Sequence, residues 1–136
     1  MLSRMNKVLL DSDFIVGLLR EDEDLHETIK KLVNSDWFEK AYVVVTSLVK
    51  MEAATVVSNR VGMKMARELV DCVDGLIDEE VFIDERWMDM GWLVFLEQTK
   101  KGSSFIDSMN LVVAKKLGCK KILSFDKFYP KEFRVK

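Results

Sequence analysis

Three short apolar runs constrain this chain more than any other feature: KVLLD (7–11), AYVVVT (41–46) and KKILSFD (120–126). A strand with one wet face alternates apolar and polar residues, whereas these runs are apolar almost throughout, which suits strands covered on both faces. The second is rich in β-branched residues, which favour a pleated backbone. Between the runs lie stretches with helical spacing. FIVGLLR follows Asp13, and a polar helix over about 22–35 carries Leu25, Ile29, Leu32 and Val33 at helical intervals. Ser47 caps a helix to about Asn59, whose inner side takes Leu48, Met51, Glu52 and Val56. After a break at Gly62, residues 63–77 place Met65, Leu69 and Val73 on one stripe. ERWMDMGWLVFLEQTKK (85–101) and FIDSMNLVVAKKLG (105–118) read as two more helices, the second ended by Gly118. EVFID (80–84) adds a short strand, and FRV (133–135) a last edge strand. Strands separated by helices pair in parallel. The expected fold is one α/β domain over 1–136, with a central parallel sheet of four to five strands and helices on both faces.

Composition narrows the class. A chain of 136 residues that is 49% hydrophobic and 32% charged has material for one real core and is not disordered. No apolar run approaches the roughly 20 residues that span a bilayer, and in MLSRMNKVLLDSD the acids come too early for a secretory signal. A cytoplasmic location without membrane contact is expected. Cys72 and Cys119 lack metal-ligand spacing and are expected to be reduced. With a formal net charge of −2 there is no global basic signature, so a polyanion must be met by local lysines or by a metal ion.

The acids are the chemical signal. Asp11 and Asp126 end two apolar runs at the edge where α/β folds bind ligands. Glu52 lies about one and a half turns into the helix that follows the second run, and Asp107 sits in a first turn between Phe105, Ile106 and Met109. Carboxylates among apolar neighbours are costly to bury unless a positive group pairs with them. No lysine or arginine is an obvious partner for all four, whereas a hard divalent cation such as Mg²⁺ or Mn²⁺ is. Asp13 is read as a helix N-cap, His26 as an exposed residue, and REDED (20–24) as a solvated loop. Trp87, Trp92, Phe95 and Leu96 are read as core, and Lys100, Lys101, Lys115 and Lys116 as candidate phosphate contacts.

The order LLDSDFIVGLL, TSLVKMEAATVV, SSFIDSMNLVVAKKLGCKKILSFDKFY resembles the PIN-domain nucleases, in particular the VapC-like toxins of toxin–antitoxin pairs. The resemblance runs over almost the whole chain. It implies a metal-dependent ribonuclease whose acidic cluster falls on Asp11, Glu52, Asp107 and Asp126, supported by the hydroxyls of Ser12 and Ser124. Asp11 and Asp107 are the expected direct ligands of Mg²⁺ or Mn²⁺, with Glu52 and Asp126 serving a second ion or orienting water. RNA substrate, an antitoxin partner and a two-fold homodimer are implied with it. Val57, Val61, Met63 and Met65 would supply the dimer face, and Lys50 and Lys64 a basic rim. Two departures stand out: Asp13 occupies a position where the family often has Asn or Ser, and DWFEK (36–40) matches no motif. Two other readings remain open. A haloacid-dehalogenase-type phosphohydrolase would use the D-S-D run but lacks the required glycine and hydroxyl after it, and a PIN-like module without catalysis would keep only binding.

Overall fold

A computed structural model describes residues 6–126 and 128–134. The described residues form four strands, all parallel: β1 (Lys7–Leu10), β2 (Tyr42–Thr46), β3 (Glu79–Val81) and β4 (Lys121–Leu123). The sheet order is β3-β2-β1-β4. Seven helices surround it: α1 (Ser12–Leu19), α2 (His26–Val33), α3 (Asp36–Glu39), α4 (Ser47–Arg60), α5 (Met63–Leu76), α6 (Glu85–Leu96) and α7 (Phe105–Leu117). A 3₁₀ turn, Lys131–Phe133, takes up part of the expected last edge strand, and Val135 lies outside the described residues. Pro130 precedes that turn and cannot donate to a strand ladder.

Two cores result, one on each face of the sheet. Val8 and Leu10 of β1 and Val43 and Val45 of β2 point toward α1, α2, α4 and α5. Leu9 and Val44 point the other way, with Ile122, onto Met109 and Val113 of α7. The strands are apolar on both sides because both sides are covered.

Several element boundaries differ from expectation. Thr46, not Ser47, caps α4, its hydroxyl accepting from the Val49 amide at 3.1 Å. Ser47 instead accepts from the Ile83 amide at 2.9 Å, tying α4 to the end of β3. With the helix set by that cap, its inward stripe is Val49, Ala53 and Val57, while Met51 is exposed. α2 starts only at His26, because the acidic loop before it folds around Arg20, which pairs with Asp22 at 2.6 Å. α6 stops at Leu96, and Trp92 and Leu96 are exposed instead of joining the core. His26 is buried, its Nδ1 bonded to the Gly17 carbonyl at 2.9 Å.

α6 and α7 approach closely at Gly91, where an added Cβ would lie 2.4 Å from Met109 Cε and 3.0 Å from Phe105 Cζ. Gly91→Val is therefore expected to lose about 1–3 kcal/mol through overpacking. Gly75, within α5, has open space around its Cα, so Gly75→Ala should gain up to about 1 kcal/mol from helix propensity. Urea melts of the two variants should move in opposite directions, and equal shifts would contradict this account of the α6–α7 contact.

Candidate metal centre at the carboxyl edge of the sheet

The site lies where strand order turns back. β1 has β2 on one side and β4 on the other, so chains leaving β1 and β4 diverge and open a crevice beyond their carboxyl ends. Asp11 stands at that point. It is the last extended residue before α1 (φ −98°, ψ 165°) and caps the helix through Oδ1, which accepts from the Ser12 amide at 2.8 Å. The residue is only 4% exposed. Oδ1 also accepts from Asn110 Nδ2 at 3.2 Å, and Oδ2 accepts from the Tyr129 hydroxyl at 2.9 Å. Every one of these donors is neutral.

Asp107 enters from α7 in a capping box. Ser104 Oγ accepts from the Asp107 amide at 3.0 Å, and Asp107 Oδ2 accepts from the Ser104 amide at 3.4 Å. Its Oδ1 stands 3.3 Å from the Tyr129 hydroxyl, so one phenol reaches both Asp107 and Asp11. Burial first, then the charges of Asp126 and Asp11, push the Asp107 carboxyl up to about 6. Such a shift marks charge crowded into a poorly solvated place. Burial and the neighbouring Asp11 also hold the Tyr129 phenol well above the usual tyrosine range, so it remains a proton donor.

The other expected residues cluster around this pair by different routes. Glu52 is half-buried on α4 and accepts the Ser12 hydroxyl proton through Oε1, which brings α4 to the start of α1. Asp126 lies in the loop beyond β4, its Oδ1 accepting from the Phe128 amide at 2.9 Å, and it reaches Asp107 through its charge. Ser124 accepts from the Asp126 amide at 3.0 Å, which shapes that loop. Asp13 is not the helix cap. The backbone turns helical one residue after Asp11, leaving Asp13 inside the first turn of α1. Its carboxylate accepts from the Phe125 amide at 2.9 Å and from Ser124 Oγ at 3.3 Å, which latches α1 to the β4 loop. Although the residue is exposed, its carboxyl is turned toward those groups, and burial followed by the Asp11 charge pushes it up to about 6.

Two members of this network, Tyr129 and Asn110, are not among the expected site residues. Asn110 is legible in retrospect, since it lies three residues after Asp107 on the same face of α7. Tyr129 carries no local signal, because only the return of the chain after β4 brings it 118 positions back to Asp11. Some expected contacts lie elsewhere. Lys115 and Lys116 occupy the last turn of α7, about 12 Å along the helix from Asp107. Lys50 is bound to Asp74 at 2.7 Å and to Glu80 at 3.1 Å, so it is not a free rim lysine.

The donor set tests the metal reading. Among the described residues no ion pair involves Asp11, Glu52, Asp107 or Asp126. As the side chains lie, no group of three or more His, Cys, Asp or Glu among those residues could hold an ion. What is present is a pair of carboxylates on one hydroxyl, with further acids nearby. That fits Mg²⁺ or Mn²⁺ chemistry, in which one or two carboxylates suffice and water and substrate phosphate fill the remaining positions. It does not fit a closed cage of protein ligands.

Comparisons with known proteins bear on the fold that carries this crevice. The chain matches the PIN domain over residues 8–131. Among curated proteins none matches it. Solved structures share the fold, among them the following two. Mycobacterium tuberculosis VapC20, described as a sarcin-ricin loop cleaving toxin, is similar at 20% identity with a TM-score of 0.78, covering 89% of this chain and 91% of that one. VapBC2 from Rickettsia felis, bound to a DNA fragment from their promoter, is similar at 12% identity with a TM-score of 0.64, covering 88% and 87%. With the four-stranded order, the crevice at β1 and β4 and a match from Val8 to Lys131, this chain belongs to the PIN-domain family.

Proposed function

We propose that this protein is an endoribonuclease that hydrolyses phosphodiester bonds with Mg²⁺ or Mn²⁺, and that it acts as the toxin of a toxin–antitoxin pair. The observation that carries this reading is the buried Asp11 carboxylate, bound only by neutral donors and joined to Asp107 through Tyr129. An uncompensated buried charge of this kind calls for a cation. Asp11 and Asp107 would hold the ion, with Glu52 and Asp126 placed for a second ion or a water. A bound ion supplies a water of lowered pKa and neutralises charge that builds on the phosphate.

The chain's own residues do the positioning. Ser12 holds Glu52 at the crevice, and Asp13 and Ser124 fix the loop that carries Asp126. Asp11 and Thr46 cap α1 and α4 where those helices leave the sheet, and the positive ends of the helices favour an approaching phosphate. Lys100 and Lys101 lie just before α7, whose first turn carries Asp107, and are assigned to phosphate contact. The Asp13 latch leaves that acid no freedom to act as a mobile general acid, which disfavours the haloacid-dehalogenase reading.

The likeness to VapC20, a toxin that cleaves the sarcin-ricin loop, supports RNA as the substrate class, and the likeness to VapBC2 supports an antitoxin partner. A location in the cytoplasm goes with that reading. Among the described residues no helix is long and apolar enough to cross a membrane. Val57 is fully buried and cannot serve a dimer face, but Val61 and Met63 are exposed at 48% and 55%. They remain the proposed contact of a two-fold homodimer, and the mass in solution, one chain of 15.8 kDa or two, decides it.

Two outcomes are expected. RNA cleavage in Mg²⁺ or Mn²⁺ should stop with a chelator and fall by more than about 100-fold in Asp11→Asn, beyond what loss of an outer-sphere partner costs. Equal cleavage by Asp11→Asn, or none by the parent protein with either ion, would refute the nuclease assignment. The second outcome concerns pH. The Asp107 carboxyl is raised from 3.8 to about 6, so its contribution to stability without metal is full below about pH 4 and is lost as pH rises through about 6. A cation needs the ionised form and reverses that trend. At a free Mn²⁺ concentration roughly 100 times its Kd the gain is about 2.7 kcal/mol. The Mn²⁺-induced rise in Tm should therefore be larger at pH 7 than at pH 5, and a rise independent of pH would contradict the assignment of Asp107 to the ion.

A further inference from the structure

We infer that Tyr129 is a positioning residue for the metal centre: its single hydroxyl, oriented by Asn110, sets the spacing of Asp11 and Asp107 and limits Asp11 to binding a cation through Oδ2 alone. This rests on the reading of the crevice as a metal-dependent nuclease site.

The inference follows from counting donors and lone pairs. A carboxylate offers about four acceptor positions over its two oxygens. Asp11 Oδ1 already accepts from Ser12 N and Asn110 Nδ2, at 2.8 Å and 3.2 Å, and is saturated. Oδ2 accepts one bond, from Tyr129 at 2.9 Å, which leaves one lone pair for an ion. The Asn110 amide cannot be reversed, since that would turn its carbonyl oxygen toward the Asp11 carboxylate. Its second contact runs from Nδ2 to the Tyr129 oxygen at 3.1 Å. With that oxygen accepting from Asn110, the phenol's own proton points away, toward the nearer Asp11 Oδ2 and past Asp107 Oδ1 at 3.3 Å. Both candidate ligand oxygens therefore flank one phenol oxygen, and they cannot separate further than those two distances allow.

The phenol is itself fixed. Tyr129 is 1% exposed, stands edge-on to Phe128 with ring centroids 5.3 Å apart, and is followed by Pro130. Its carbonyl accepts from Arg134 Nε at 2.9 Å. A group this rigid transmits position to the carboxylates instead of adapting to them. Partners one shell out from a metal ligand commonly change affinity by about 10–100-fold.

The test titrates the parent protein and Tyr129→Phe with Mn²⁺ by calorimetry. The expected result is a Kd about 10–100-fold weaker in the variant, at unchanged stoichiometry, with RNA cleavage restored by added Mn²⁺. If the parent binds Mn²⁺ and cleaves RNA while Tyr129→Phe binds it equally well, the positioning role is overturned and the nuclease reading stands. If the parent neither binds Mn²⁺ nor cleaves RNA, both fall. Should Tyr129→Phe not fold, the parent protein still decides through the tyrosine Fermi doublet of its Raman spectrum, which reports how a phenol is hydrogen-bonded. The chain has two tyrosines, and Tyr42 bonds Glu79 on another part of the sheet. Saturation with Mg²⁺ should change the doublet through Tyr129, and an unchanged doublet in protein that binds the ion overturns the inference.

Discussion

The carboxylate of Asp11 is the point on which the other parts of the site depend. It follows β1, caps α1 and is almost wholly removed from water, so its charge must be met within the protein. The groups that meet it come from distant parts of the chain: the next amide, Asn110 on α7 and Tyr129 beyond β4. Hydrogen bonds from neutral donors reduce the cost of burying a carboxylate without cancelling its charge. Burial raises the Asp107 and Asp13 carboxyls, and the Asp11 charge adds to it, joined at Asp107 by the charge of Asp126. The protein thus holds a small excess of negative potential at one crevice, organised by rigid donors and available to a cation.

The fold explains why the crevice is there. Strands covered on both faces leave polar groups no exit except at their ends. The sheet order β3-β2-β1-β4 then directs two strand ends apart beside Asp11. Helices α1 and α4 start directly from β1 and β2, so their N-termini face the same edge. Short polar caps, Asp11 and Thr46, thereby share space with the acids assigned to catalysis. Asp11 caps a helix and faces the proposed cation site with the same carboxylate, and Asp107 likewise completes a capping box while reaching the phenol. Capping and chemistry are not competing explanations for these residues.

That double use also sets what could be read from the sequence. The strands and the two-sided helical cover were legible because unbroken apolar runs such as VLL and VVV admit few alternatives. The acids were legible because Asp11 and Asp126 follow such runs and Asp107 sits between Phe105, Ile106 and Met109. The caps fall one or two residues earlier than expected, since Asp11 and Asp13, like Thr46 and Ser47, are closely spaced candidates that can all cap a helix, and only the strand end chooses between them. The burial of His26 depends on a carbonyl nine residues earlier, and Lys50 on acids from α5 and β3. Tyr129 was beyond reach for the same reason. Contacts that tertiary return creates leave no periodic trace.

The central claim is that this crevice takes a divalent cation between Asp11 and Asp107. Crystals grown or soaked in Mn²⁺ and measured at the manganese absorption edge test it directly. The account predicts an anomalous peak bonded to Asp11 Oδ2 and to Asp107, with Asp11 Oδ1 still held by Ser12 and Asn110. A fully occupied peak at another acidic cluster, such as Asp74 and Glu80, with the crevice empty at the same ion concentration, would contradict it.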